Sequence, residues 1–458
     1  MALTRRELLK HAGALAATLG GGWTRLANAG SRWMAWHNWS GGQACVPAAR
    51  IAPQSEDELA SLIKGAVGPV RAVGSGHSFS GLVPTEGTLL SLSNLTGIIS
   101  NDADALQAEF WAGTRVADMG EPLAKVGQAL PNMADIDYQT IAGAISTSTH
   151  GTGPKFGSYS SNVVGLRLVT AKGEVLDLSA KQHPELFNAA RVSLGALGVI
   201  TRVKLQNRKA FRLRRKEWVE DTAALLEKLP DLIRDNEHFE LNALLHSDVA
   251  IGTTLNETTE TQTIAKEMGG DVDKVKLLQI VDKYAGDSIG LQAALLNFSA
   301  KHLVNFPAVV DESYKVFANV RDVRFNEMEY EVPAEAGPAC LREVLKTIKD
   351  QNLHSYIPIE YRYVKADDIP ISMFSGRDTC AISVHQHYTL DYHNFFAAVE
   401  PIFWKYEGRP HWGKLHTLNS HQFEKLYPRW KEFLDVRASL DPGGKFLNGH
   451  LRGVFGLS

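Results

Sequence analysis

The segment Arg71-Ala-Val-Gly-Ser-Gly-His-Ser-Phe-Ser80 decides how the rest of the chain is interpreted. An apolar run, Pro69 to Val73, ends at two glycines two residues apart, which predicts a strand that opens into an exposed turn. Glycine tolerates positive φ and a close approach to the backbone, so that successive amides can point at an anion. The pattern fits a phosphate-binding turn and also a plain structural turn.

A second segment of the same character spans residues 140–153, Thr-Ile-Ala-Gly-Ala-Ile-Ser-Thr-Ser-Thr-His-Gly-Thr-Gly. Two such segments, separated by one folding unit, could clasp the two phosphates of a dinucleotide. The common G-x-G-x-x-G pattern does not fit, because Phe79 stands where its last glycine is required. The chain also has no Walker A motif.

The composition is that of an ordinary soluble protein, with 44% hydrophobic and 22% charged residues, and 458 residues correspond to about two to three domains. The 48 basic residues are offset by 51 acidic ones, which argues against a nucleic-acid partner. Cys45, Cys340 and Cys380 are too few and too scattered for a disulfide framework or a zinc site. The sequence is compatible with one disulfide between two of these cysteines.

The N-terminus has the pattern of an export signal. Arg5 and Arg6 precede an apolar, small-residue run from Ala12 to Gly22, and Ala27-Asn28-Ala29 has the form of a cleavage site. We therefore expect a twin-arginine signal over residues 1–29 and an exported, periplasmic protein. The apolar run is too short to cross a bilayer, so no membrane span is predicted. An amphipathic N-terminal helix is the alternative.

The rest of the chain mixes helical and strand patterns. Ser55 with Glu58 forms a capping box that opens a helix. From about residue 206 the chain has longer, charged helical patterns between strand-like runs. This change in pattern indicates a second domain over residues 206–400. The predicted elements are helices over 116–130, 222–235 and 339–352, a hairpin over 163–178 and strands over 69–73, 88–92, 108–112 and 327–332.

Three stretches of the second half carry candidate functional side chains. The alternating run around Glu360 and Arg362 places both on one strand face, where they pair with each other or grip a polyhydroxylated ligand. His385 and His387 share a face in the same way, but no third ligand stands at a recognisable spacing, so no metal site is predicted. Lys414, in His-Trp-Gly-Lys, belongs to a polar pocket or to the surface.

In combination and order, these motifs resemble the aldonolactone oxidase group of the vanillyl-alcohol-oxidase-type (PCMH-type) flavoproteins. That group includes gulonolactone, galactonolactone and arabinonolactone oxidases and alditol oxidase. The resemblance covers nearly all of the chain after the export signal. The motifs that carry it are Gly74 to Ser78, Gly143 to Gly153, Leu194 to Thr201, Glu360-x-Arg362, His411 to Lys414 and Asp441 to Asn448.

The resemblance implies an α+β fold. A two-part FAD-binding domain would comprise residues 30–205 and the C-terminal segment 401–458, with a cap domain of mainly antiparallel sheet over 206–400. In covalent members of the family, the histidine of the first loop bonds to the flavin 8α carbon, and His77 occupies that place. The implied FAD contacts are Gly74, Ser75, Gly76, His77, Ser78, Thr140, Gly143, Ser146, Thr149, His150, Gly151, Gly153 and Ile200.

The resemblance also implies catalytic roles. Arg362 and Lys414 would orient the substrate oxygens and stabilise negative charge on the reduced flavin. Glu360 would hydrogen-bond the substrate and fix Arg362, and His385 or His387 would accept the hydroxyl proton.

The implied function is an FAD-dependent oxidase of a sugar-derived lactone or polyol. Hydride passes to flavin N5, and O2 reoxidises the flavin to give H2O2. A dehydrogenase that uses a quinone or cytochrome acceptor is the alternative. Two alternatives belong to other functional classes. One is a non-enzymatic binding protein, and the other is a metal-dependent hydrolase that would use His385, His387 and His411.

Overall fold

The computed structural model describes residues 35–263, 278–281, 283–284, 288–302, 306–319 and 323–457. The predicted export signal, residues 1–29, lies outside the described residues. The cysteines Cys45, Cys340 and Cys380 are free thiols, so the single disulfide that the sequence left open does not form. No helix in the described ranges is long and apolar enough to cross a membrane.

Small sheets build the described chain up to residue 209. One is parallel, in the order β3-β5-β4, and another is antiparallel, in the order β10-β9-β11-β7-β6; the pairs β1-β2 and β12-β8 complete this part. These strands are β1 (Trp36–His37), β2 (Ala44–Cys45), β3 (Ala49–Ile51), β4 (Val70–Val73), β5 (Thr88–Ser91), β6 (Ile98–Asp102), β7 (Gln107–Trp111), β8 (Gln128–Ala129), β9 (Val163–Val169), β10 (Val175–Leu178), β11 (Val199–Gln206) and β12 (Arg208–Lys209).

A single antiparallel sheet of eight strands follows, in the order β16-β13-β15-β14-β18-β19-β17-β20. We call it the cap sheet. The mixed architecture confirms the α+β prediction, and the domain limits at 205 and 400 stay predictions. The strands are β13 (Arg212–Asp221), β14 (His238–Ala243), β15 (Val249–Thr258), β16 (Val309–Glu312), β17 (Phe325–Pro333), β18 (Ile359–Val364), β19 (Thr379–His387) and β20 (Arg409–Pro410).

Helices pack against these sheets and follow the cap sheet to the C-terminus. They are α1 (Glu56–Gly65), α2 (Gly120–Lys125), α3 (Ile141–Ser146), α4 (Pro184–Ala190), α5 (Thr222–Glu227), α6 (Leu229–Asp235), α7 (Ile289–His302), α8 (Ser313–Phe317), α9 (Gly337–Asp350), α10 (His393–Lys405), α11 (Ser420–Leu426), α12 (Trp430–Leu440) and α13 (Gly449–Phe455).

Several predicted elements differ in detail from the observed ones. The helix expected over 222–235 is two helices, because Pro230 lacks an N–H and is accommodated in the first turn of a new helix, α6. The helix expected over 116–130 is reduced mainly to α2, since Gly127 turns the chain at φ +73° into strand β8. Half of the predicted capping box forms: Ser55 Oγ accepts from the amide of Glu58 at 3.2 Å.

The C-terminal segment returns to the first glycine-rich segment. The amide of Val70 donates to the carbonyl of Lys445 at 2.8 Å, and Asn448 donates to the carbonyls of Gly81 and Pro84. Asn448 also caps α13 by accepting from the amide of Leu451. The tail therefore supports the turn that the sequence singled out.

Candidate active site

A cavity of about 810 Å³ lies where strand β4 ends and helix α3 begins. Its lining includes both glycine-rich segments and residues 194–200. Trp39, His411 and Lys414 also border it, together with residues of the stretches 82–96, 112–118 and 136–139. This volume is in the range of about 300–1,000 Å³ that is typical of small-molecule sites.

The two glycine-rich segments approach each other at Gly74. A Cβ at this position would lie 2.2 Å from Oγ1 of Thr140, so only glycine fits without displacing the threonine. Gly76 has a φ of +70°, which glycine adopts without steric cost. The hydroxyl of Ser75 donates to the carbonyl of Tyr138 at 2.5 Å. The segments are thus joined along one side of the cavity.

Arg71, for which no role was predicted from the sequence, holds the first glycine-rich segment in place through hydrogen bonds. Its buried guanidinium donates to the carbonyls of Leu82, Leu194, Gly195 and Phe446 at 2.6–3.0 Å. Burial lowers the pKa of Arg71 to about 10, which still leaves it charged at neutral pH. One side chain therefore fixes two walls of the cavity and the C-terminal tail.

The cavity fits a flavin dinucleotide. Backbone amides of Gly74, Ser75 and Gly76 border it without large side chains. The buried side-chain oxygen of Gln139, which also lines the cavity, has no hydrogen-bond partner among the described residues. A polar ligand would satisfy this oxygen, since buried polar groups are normally hydrogen-bonded.

His77 lies at the cavity wall, where its ring stacks on Trp39 with centroids 5.3 Å apart. Burial and the positive charge of Lys414 lower the pKa of His77 to about 4. The imidazole is consequently neutral at physiological pH, and one ring nitrogen keeps its lone pair.

Most of the predicted FAD contacts line this cavity, and three do not. The ring of His150 faces the cap sheet. Gly151 packs so tightly that a Cβ would lie 2.2 Å from the carbonyl oxygen of Met133, and Gly153 has a φ of +133° beside Glu237. The predicted contacts in the lining are Gly74, Ser75, Gly76, His77, Ser78, Thr140, Gly143, Ser146, Thr149 and Ile200.

Strand β17 carries a row of acidic side chains, the acid row, that was not predicted from the sequence. Glu327, Glu329 and Glu331 occupy every second position of the strand and so share one face, and their side chains are 4%, 2% and 0% exposed. The signal was present in the sequence, where three glutamates stand at a spacing of two within an apolar run. Buried carboxylates require partners of opposite charge, so this row predicts cations nearby.

Lys414 is one of these cations. Its ammonium forms an ion pair with Glu327, lies 3.9 Å from Oε2 of Glu329 and stands 5.0 Å from the ring centroid of Phe79. Burial opposes ionisation of Glu327, but Lys414 and then His385 outweigh it and lower the pKa of this carboxyl. The structure therefore places a charged Lys414 between the cavity and the acid row.

Glu360 and Arg362 share a face of β18, and the predicted pair is confirmed by a 2.5 Å contact between Arg362 Nη2 and Glu360 Oε2. Glu240, on β14, lies 3.4 Å from Arg362 Nε. Burial opposes the charge on Arg362, and Glu360 and Glu240 nevertheless raise its pKa above the usual value. In the sheet register, Glu360 and Glu329 both pair with Ser383, so the guanidinium and the acid row belong to one polar face.

His385 and His387 differ in their surroundings. His385 is buried, with Nδ1 3.0 Å from the carbonyl of Pro358 and Nε2 3.5 Å from Oε1 of Glu327. His387 is half-buried, with Nδ1 2.7 Å from the hydroxyl of Thr389. His385 therefore belongs to the polar face of the cap sheet, and His387 lies farther along the strand at its end.

The metal-hydrolase alternative does not match the arrangement of these histidines. Within the described ranges, the group of acidic, histidine or cysteine side chains with ligand atoms within 4.8 Å of one another is His150, Glu329 and His411. Neither His385 nor His387 belongs to it. The three histidines proposed as ligands are consequently not assembled as one site.

Comparisons with known proteins agree with this geometry. The family pattern of D-arabinono-1,4-lactone oxidase matches residues 203–454, and that of an FAD-binding domain matches residues 47–179. The chain is 39% identical to an L-gulono-1,4-lactone dehydrogenase of Mycobacterium tuberculosis over 92% of this chain and 99% of that protein. It is 30% identical to the L-gulonolactone oxidase of Bos taurus over 93% and 99%. A cholesterol oxidase from B. sterolicum shares the fold, with a TM-score of 0.76, 15% identity and coverage of 92% and 96%.

The glycine-lined cavity, which Lys414 connects to the cap sheet, and the match to an FAD-binding domain define an FAD-linked oxidoreductase of the PCMH type. Within that class, the chain belongs to the aldonolactone oxidase family. The resemblance that the motifs suggested is confirmed.

Proposed function

We propose that the protein oxidises a hydroxyl group of a sugar-derived lactone, an aldono-1,4-lactone, or of a related polyol. The observation that carries this proposal is Lys414, which lines the flavin cavity while its ammonium is paired with Glu327 of the cap sheet. A fixed cation at this junction suits a reaction in which negative charge develops on the ring system. Relatives named for gulono- and arabinono-1,4-lactones support the substrate class.

FAD would be held by the amides of Gly74 to Ser78 and by the wall from Thr140 to Thr149. When bound, it supplies an acceptor for a hydride. Arg362, kept in place by Glu240 and Glu360, offers a planar donor fork for the oxygens of a lactone. Glu360 adds an acceptor for a substrate hydroxyl on the same face.

His385 has the geometry of the proton acceptor. Its Nδ1 faces the carbonyl of Pro358, which only accepts, so Nδ1 carries the hydrogen and Nε2 keeps the lone pair. Nε2 lies 3.5 Å from Oε1 of Glu327, longer than an ordinary N–H···O hydrogen bond, so its lone pair is available to the substrate hydroxyl. The nearby carboxylate would stabilise the imidazolium formed when that hydroxyl loses its proton. The carbinol hydrogen would then transfer with both bonding electrons to the flavin, and the alcohol would become a carbonyl group.

His77 is proposed to bond covalently to the 8α carbon of the flavin. Its position at the cavity wall and its neutral imidazole support this assignment. The bond replaces one N–H of the imidazole and one C–H of the 8α methyl group. The two protons and two electrons released would pass to O2 and give H2O2.

For turnover we propose O2 as the electron acceptor, with H2O2 as the product. A dehydrogenase that uses a quinone or cytochrome is a second candidate, favoured by the 39% identity to an L-gulono-1,4-lactone dehydrogenase. Peroxide formation during turnover in air supports the oxidase. Turnover only with an added quinone or cytochrome supports the dehydrogenase.

We further propose that residues 1–29 direct twin-arginine export to the periplasm. The paired Arg5 and Arg6 before an apolar run support it. Replacing both arginines by lysine in the natural host should retain the protein in the cytoplasm; unchanged export would contradict the proposal.

The proposed reaction is tested by mixing the purified protein with aldonolactones and alditols without oxygen and recording flavin absorbance. Bleaching by an aldono-1,4-lactone is expected. Bleaching by none of the panel would remove the substrate class, and a colourless protein that binds no added FAD would remove the flavin assignment.

A further inference from the structure

His150 belongs to the second glycine-rich segment but does not line the cavity. Its buried ring lies against strand β17, where Nε2 is 2.9 Å from Oε1 of Glu329 and 3.7 Å from Oε1 of Glu331. On the other side of the ring, Nδ1 is 2.8 Å from the carbonyl oxygen of Gly151. The ring of Phe374 packs edge-on against it at 5.1 Å.

The hydrogen-bond partners define the charge state of this ring. A carbonyl oxygen only accepts, so Nδ1 of His150 carries a hydrogen. An ionised carboxylate also only accepts, so Nε2 carries one as well when Glu329 is charged. A ring with hydrogen on both nitrogens is an imidazolium. Burial alone would lower the pKa of His150, but Glu329 and Glu331 outweigh it and raise it to about 9.

We propose that His150 is a positioning residue. As an imidazolium bound to Glu329, it fixes the acid row, which in turn holds the ammonium of Lys414 at the flavin cavity. The consequence for catalysis rests on the proposed oxidation. The charge state of His150 does not, and it can be measured without a substrate.

The charges around the His150 ring explain why a cation is needed at this position. Lys414 faces two ionised carboxylates, Glu327 and Glu329, and burial gives these little solvent screening. His150 supplies a second positive charge, which balances the carboxylates of Glu327 and Glu329 together with Lys414. Without it, the surplus negative charge would oppose the charge that the flavin gains on reduction, and it would draw Lys414 away from the cavity.

The other neighbours do not replace His150. His411 accepts at Nδ1 from the amide of Gly413, and burial lowers its pKa to about 3, so it is neutral. Burial raises the pKa of Glu331, and its side-chain oxygens have no hydrogen-bond partner in the part of the chain that the structure describes. The bond between His150 and Glu329 also joins the second glycine-rich segment to strand β17 of the cap sheet, 179 positions further along the chain.

A metal ion is the competing explanation for His150, Glu329 and His411, whose donor atoms lie within 4.8 Å of one another. A metal ligand needs a lone pair on Nε2, which the imidazolium lacks. The ammonium of Lys414, 3.9 Å from Glu329, also disfavours a second cation beside it. The two explanations predict opposite protonation of Nε2.

The first test is the ¹⁵N spectrum of the histidine-labelled protein without substrate. One imidazole with both nitrogens protonated should persist at pH 7.5, disappear in His150→Gln, and titrate at lower pH in Glu329→Gln, which keeps the ring in place. His238 is the internal control, since burial lowers its pKa to about 4 and it should be neutral. A deprotonated Nε2 of His150 at pH 7.5, with or without bound metal, would overturn the proposal.

The second test is the reduction potential of the bound flavin, which also requires no substrate. His150→Gln should lower it by about 30 mV, a tenfold shift in a two-electron equilibrium. The difference from the unmodified protein should vanish as the pH rises above about 9, where His150 itself loses its charge. His238→Gln should cause no comparable shift. Equal potentials at pH 7, or a difference independent of pH, would mean that His150 has only a structural role.

Discussion

The two glycine-rich segments each contain one histidine, and the surroundings of the two imidazoles shift their pKa values in opposite directions. His77 lines the cavity beside Lys414, and its pKa is lowered to about 4 by burial and by that charge. His150 faces Glu329 and Glu331, and its pKa is raised to about 9 against the effect of burial. The two rings have similar sequence surroundings, so their different chemistry comes from the side chains that the fold brings to them.

Lys414 links the two regions, and its removal should have the largest effect. Lys414→Met should slow flavin reduction by about 10²–10³-fold, because a fixed charge that stabilises the developing anion is lost. It should also raise the pKa of His77, since the Lys414 charge contributes to its depression. Stopped-flow bleaching measures the first effect, and Lys414→Arg, which keeps the charge, is the matched control. A loss of similar size in Lys414→Arg would show that shape rather than charge is required.

His150→Gln tests the other side of the comparison through stability. The folded-state pKa of about 9 exceeds the ordinary value of about 6.5, so the stabilisation by His150 is fully present below pH 6.5 and lost as the pH rises through 9. A shift of this size corresponds to about 2–4 kcal/mol. Urea unfolding at pH 6 and pH 9.5 should show that the difference between the two proteins shrinks at the higher pH. A constant difference would contradict the charged state.

His77→Ala tests the neutral histidine. The variant should fold and bind FAD, but acid precipitation should release all of the flavin into the supernatant. Flavin that stays with the precipitated variant would refute the bond at His77. His150→Gln is a suitable control, because the flavin of this variant should remain in the pellet. The two results together would show that only His77 is required for the covalent bond.

The sequence predicted the cavity better than the acid row, and the reason is physical. Glycines such as Gly74 and Gly76 are required by local backbone geometry, which leaves a local pattern. The α+β fold and the Glu360–Arg362 pair also follow from local periodicity. The partners of His150 come from a strand 179 positions away, and only the register of the cap sheet brings them to it. Arg71 was missed for the same reason, since two of the segments that supply its carbonyl partners lie 123 and 375 positions away.

Glu331→Gln should have the smallest effect and gives the sharpest test of the charge balance. Burial raises the pKa of this carboxyl, so at pH 6 its neutral form is replaced by an amide of the same shape. The free energy of unfolding should change by less than about 1 kcal/mol. Glu329→Gln, two residues away on the same buried face, should cost about 3–5 kcal/mol, because it leaves His150 without its carboxylate. Equal losses would show that both acids are charged, and that the cluster carries one negative charge more than His150 and Lys414 neutralise.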